Sequence, residues 1–231
     1  RGDREGTTWT PRNTGLGGIV TALAVGPDGT VYAGTTGGGV FRSRDRGQSW
    51  TVVNTGLHDL NIEALAVRRD GVVFAGTTAG RVYRSLDAGL SWTDTSFPGF
   101  SIRGLALDDD QNLFAGTDYD AGVRFSVFML PADGNRWLAT GLAGRDVLTL
   151  TLSPLGDIFA ATPDRLMLSS DGGLQWGSAD LQEDVHVLGI NDRGDVFATL
   201  STRREDNRLR KVEYHSSQRA FCMNRRPTNY S

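Results

Sequence analysis

The chain has 231 residues, enough for one large domain or two small ones; with 39% apolar and 22% charged residues a buried core is expected rather than disorder. A net charge of −3 is too near neutral for a general nucleic-acid binder, and a single cysteine, Cys222, excludes an internal disulfide. No apolar run approaches the roughly 18 residues of a membrane span, and the opening RGDREGTTW carries no signal-peptide pattern. Thirty glycines without a three-residue period point to many tight turns.

In chain order, residues 7–14 (TTWTPRNT) read as a lone strand. Then comes GIVTALAVGPDGTVYAGTTGGGVFRSRDRGQSWTVVNTGL (18–57), followed by a near copy, NIEALAVRRDGVVFAGTTAGRVYRSLDAGLSWTDTSFPGF (61–100). Each copy is a set of short Val-, Ile-, Phe-, Tyr- and Thr-rich runs bounded by Gly and Asp, with no useful 3.6-residue period. Trp9, Trp50, Trp92, Trp137 and Trp176 recur at spacings of 41, 42, 45 and 39 residues. A period near 40–45 residues built from strands is that of a propeller blade. Each repeat is expected to be a four-stranded antiparallel meander, strands A to D, with A–B pairs at 19–34, 62–76, 102–116, 147–161 and 185–199. Strand A puts Leu23, Val25, Leu65 and Val67 on one parity and Ala22, Ala24, Ala64 and Ala66 on the other, as suits sheets stacked on both faces.

The fold class expected is therefore an all-β propeller of five blades, at about 17–57, 58–100, 101–142, 143–181 and 182–216, with residues 1–16 completing the last blade and closing the ring. A fragment of a longer propeller is the alternative. Residues 203–231 depart from the repeat, with eight Arg or Lys against three acids; 211–216 is expected as a strand and 217–231 as an irregular basic tail.

The string before each full Trp follows Ser-x-Asp-x-Gly-x-x-Trp. Ser43, Asp45, Gly47 and Trp50 carry it, as do Ser85, Asp87, Gly89 and Trp92, and Ser169, Asp171, Gly173 and Trp176. Around Trp9 the Asp position holds Arg4, with Gly6 kept; around Trp137 it holds Ala132, with Gly134 kept. The pattern resembles the Asp-box, or BNR repeat, of sialidase-like and photosystem assembly factor-like propellers, over about residues 1–200. Lying between strands C and D, it is a hairpin whose Asp suits backbone N–H groups, whose Gly permits positive φ and whose Trp packs under the turn. The resemblance implies that these boxes are peripheral and structural.

In an up-and-down sheet the A–B and C–D turns share one end, and the B–C loops and D–A connections share the other. The A–B turns (27–29, 69–71, 110–112, 155–157, 193–195) are tight and alike, so the Arg-Gly-Asp at 193–195, like that at 1–3, reads as a turn and not an adhesion motif. The opposite end varies, through B–C loops at 35–39, 77–80, 117–122, 162–164 and 201–207 and connections at 56–61, 141–146 and 180–184. Variable loops on a rigid frame are where binding residues sit. At the start of strand A, Thr21, Glu63, Arg103, Leu148 and His186 occupy one equivalent position among apolar or small neighbours. Glu63, Arg103 and His186 at a channel mouth could orient a polar ligand or form an ion-paired plug. Asp118, Tyr119 and Asp120 form an acidic loop beside them; two carboxylates are too few to make a Ca²⁺ site the expectation. His58 with Asp59 lacks a placed nucleophile.

The function expected is a non-catalytic propeller binding a partner protein or glycan at the end opposite the boxes, extracellular or periplasmic, with no metal and no cofactor. The alternative is a glycoside hydrolase of the sialidase kind. The resemblance would then require an Arg-Ile-Pro motif, which this chain lacks, Ile102-Arg103-Gly104 being the nearest string. Hydrolysis also needs paired carboxyls across a cleft, for which Glu63 with Asp118 or Asp120 would be the pair.

Overall fold

A computed structural model describes residues 10–118, 126–179, 184–191, 195–201, 207–215 and 220–223. All regular structure among them is strand, and the chain divides into two compact units, Arg1–Ile102 and Arg103–Ser231.

The first unit holds two antiparallel sheets in sequence order. One is β1 (Ile19–Val25), β2 (Val31–Thr36), β3 (Gly39–Ser43) and β4 (Thr51–Val52). The other is β5 (Ile62–Val67), β6 (Val73–Thr77), β7 (Val82–Ser85) and β8 (Thr93–Asp94). β-Branched and aromatic residues alternate with small ones, so each strand offers a bulky face and a small face to a pleated surface. The sheets interlock through that asymmetry. Gly34, fourth in β2, receives Ile62, and a Cβ built on Gly34 would lie 2.6 Å from Ile62 Cγ2. Gly76, fourth in β6, receives Ile102 in the same way, at 2.5 Å. Around the first joint Tyr32, Leu65, Tyr83 and Trp92 form a buried cluster against which Ala22 and Ala24 pack.

The second unit holds three sheets. The first is β9 (Ile102–Leu107), β10 (Leu113–Thr117), β11 (Val127–Leu130) and β12 (Leu138–Ala139). The second is β13 (Thr149–Leu152), β14 (Ile158–Thr162), β15 (Arg165–Ser169) and β16 (Gly177–Ala179). The third is β17 (Asp184–Ile190), β18 (Val196–Ser201), β19 (Asn207–His215) and β20 (Ala220–Met223). The interlock repeats: Gly116 receives Val147 at 2.6 Å, and Ala161 shares a buried cluster with Val185.

The fifth sheet differs from the sequence expectation. Its fourth strand is β20, pairing Val212–His215 with Ala220–Met223, inside the segment expected as a tail. Residues 10–18 form no strand, and 1–9 lie outside the described residues. A strand a few residues downstream closes a short loop, whereas one about 200 residues away would cost more chain entropy to recruit.

Candidate functional site at the variable end of the sheets

The position singled out in strand A has a structural cause. Pairing of the first strand with the second slips by one residue between Val20 and Ala22, between Ile62 and Ala64, and between Val185 and Val187. Thr21, Glu63 and His186 are thus the extra residues of one-residue bulges. Leu148 is doubled likewise, because its N–H donates to Ala161 O at 2.8 Å while Thr149 pairs with Ala161. Such a bulge re-aims a side chain out of the alternation, and bulges gather beside functional sites. Thr21 spends its hydroxyl on structure, donating to Gly34 O at 3.1 Å and to Ile62 O. Glu63 is half-buried. The backbone of His186 lies in β17.

In the second unit, Arg103 Nε donates to Asp118 Oδ1 at 2.6 Å, joining the start of β9 to the residue after β10. Tyr119 and Asp120 lie outside the described residues, so of the acidic loop only Asp118 is placed. A second ionic group was not expected as such. Arg145, on the connection into β13, reaches both Asp164 oxygens at 2.9 Å, and Arg165 Nε donates to Asp164 Oδ2 at 2.9 Å. Thr162 Oγ1 adds a bond to Asp164 Oδ1 at 2.9 Å. Burial opposes ionisation of Asp164, but the bonds from Arg145, Thr162 and Arg165 outweigh it and hold the carboxyl at about 2. Both loops were named as variable, yet nothing local in sequence pairs residues 145 and 164.

In the first unit the same end is stitched mainly by backbone. Gly39 N donates to Leu60 O at 3.0 Å and Thr78 N to Asn61 O at 3.2 Å. Asp59 accepts from Asn61 N at 3.0 Å and Ala79 N at 3.3 Å. Burial alone would raise its carboxyl, but these bonds bring it below the usual value. Asp59 is thus a loop anchor, and His58 directs its N–H to Tyr83 OH at 3.3 Å.

The Ser-x-Asp hairpins lie at the opposite end. Ser43 Oγ donates to Asp45 Oδ1 at 2.7 Å and accepts from Gly47 N at 2.7 Å, while Asp45 Oδ1 accepts from Ser49 N at 2.9 Å. Ser85, Asp87, Gly89 and Ser91 repeat this within 0.1 Å. The hydroxyl and N–H of Ser49, with Ser43, hold Asp45 at about 2; Ser91 and Ser85 do the same for Asp87. Asp171 has Gln175 in place of that serine, accepts from its N–H and from Ser169, and is lowered less far. Each indole N–H is also spent on backbone, Trp50 on Arg12 O, Trp92 on Val53 O and Trp176 on Gly173 O.

A cleft of about 250 Å³ opens in the second unit at the A–B turns, lined by Leu107, Leu152 and Ile190 together with Asp108, Ser153 and Asn191. Its polar groups serve their own turns. Asp108 accepts from Asn112 N and Nδ2, Ser153 Oγ accepts from Asp157 N, and Asn191 Oδ1 accepts from Asp195 N. That last bond engages the residue ending the 193–195 Arg-Gly-Asp, of which 193 and 194 lie outside the described residues. Among the described residues no group of three or more His, Cys, Asp or Glu could hold a metal, and no helix is long and apolar enough to cross a membrane.

No family model and no curated protein matches the chain. Many solved structures do. The GH74 enzyme of Niastella koreensis superposes with a TM-score of 0.69 at 17% identity, over 92% of this chain and 38% of that one. An extracellular domain assigned to a hybrid two-component system of B. thetaiotaomicron gives 0.65 at 16%, over 78% and 26%. YCF48 bound to D1 peptide gives 0.59 at 14%, over 78% and 60%. At these identities the likeness is one of fold: the chain is a β-propeller of four-stranded antiparallel blades. It spans about a quarter to three fifths of the chains it resembles.

Proposed function

We propose that this is a non-catalytic binding propeller of the Asp-box kind, taking a protein or glycan at the end formed by the B–C loops and D–A connections. One observation carries this reading. At that end the loops diverge from sheet to sheet, and in the second unit Asp118 and Asp164 are each spent on arginine at 2.6–2.9 Å. A carboxyl held at about 2, as Asp164 is, cannot act as a general acid near neutrality. Arginine side chains at this end suit recognition of polar ligands. Likeness to YCF48 bound to a peptide, and to an extracellular domain, supports a binding role outside the cytoplasm.

A glycoside hydrolase is the second reading, favoured by the GH74 likeness, although the chain spans only about a third of those enzymes. The deciding experiment is a glycan and peptide array probed with the intact chain and with Arg103→Ala. Loss of a specific signal in the variant supports the proposal. Binding indifferent to changes at Glu63, Arg103 and His186 removes the site, and aryl glycoside or sialoside hydrolysis abolished by Glu63→Gln replaces the proposal with the enzyme.

A further inference from the structure

We draw no further inference here: the strongest candidate, the side-chain cluster in which Arg145, on the connection into β13, and Arg165, at the start of β15, converge on Asp164, belongs to the site already described.

Discussion

The two units build the same joint with different hairpins. In the first, both Asp residues sit between two serines, and each carboxylate is drawn to about 2 by hydroxyl and backbone donors. In the second, Gln175 takes the place of one serine, and around Trp137 the Asp is replaced by Ala132. The packing does not follow that loss. Gly116 receives Val147 at 2.6 Å, as Gly34 receives Ile62. Thr140 N reaches Val127 O at 3.0 Å, as Val53 N reaches Val40 O at 2.9 Å, and Trp137 stays buried. The apolar interlock therefore sets sheet against sheet, and the polar hairpins trim the turns.

The strongest way to break this ranking is at the interlock. Ile62→Ala empties a fully buried socket contact and should cost about 2–5 kcal/mol. Val147→Ala, with less to lose, should cost less; chemical denaturation measures both. Gly34→Ala overpacks the same contact and should cost about 1–3 kcal/mol. The joint between the fourth and fifth sheets already uses Ala161 with Val185. Gly34→Ala combined with Ile62→Val should therefore recover part of the loss, as a coupling of at least about 0.5 kcal/mol in the double-mutant cycle. Strict additivity would mean that the two residues do not form one joint.

The hairpins come next, and pH separates them. Asp87 ordinarily ionises near 3.8 and is held at about 2 when folded. A depressed folded value contributes stability that is complete above about 4 and lost as pH falls toward 2. Asp87→Asn should lower the melting temperature at pH 6 and bring it closer to the wild type at pH 2. Asp171→Asn should do the same more weakly, since Asp171 lacks the second serine. Equal effects at both positions would show that the serine hydroxyls add nothing.

Much of the frame could be read from sequence because it repeats. Evenly spaced indoles, Asp-Gly turns and strand parity place the strands before any coordinate is known. The variable end was legible only in part. Thr21, Glu63 and His186 stood out as polar interruptions, but a bulge has no composition signature, and its register slip appears only once the second strand is paired. Arg145 with Asp164 is a contact between loops 19 residues apart, without a local pattern. β20 went unseen because its hairpin lacks the Trp that marks the other fourth strands.

The smallest expected effects come from backbone strain, and they again divide the units. Between Asp and Gly of each full hairpin the chain turns left-handed, at Arg46 (φ 61°), Ala88 (φ 57°) and Gly172 (φ 72°). The second unit uses glycine there and the first does not. A non-glycine residue in this region costs about 1–2 kcal/mol, and a new glycine returns about 0.4–1 kcal/mol through unfolded-chain entropy. Ala88→Gly should thus stabilise by about 0.5 kcal/mol, keeping the bond from Arg42 Nη1 to the carbonyl of residue 88, which needs no side chain. The A–B turns invert the pattern: Gly29, Gly71 and Gly156 take positive φ, but the second unit places Gln111 at 65°. Its side chain donates to Asp108 O at 3.1 Å, so Gln111→Gly forfeits a bond while relieving the same strain. Its gain should fall below that of Ala88→Gly, and a larger one would mean that the glutamine bond is worth nothing in solution.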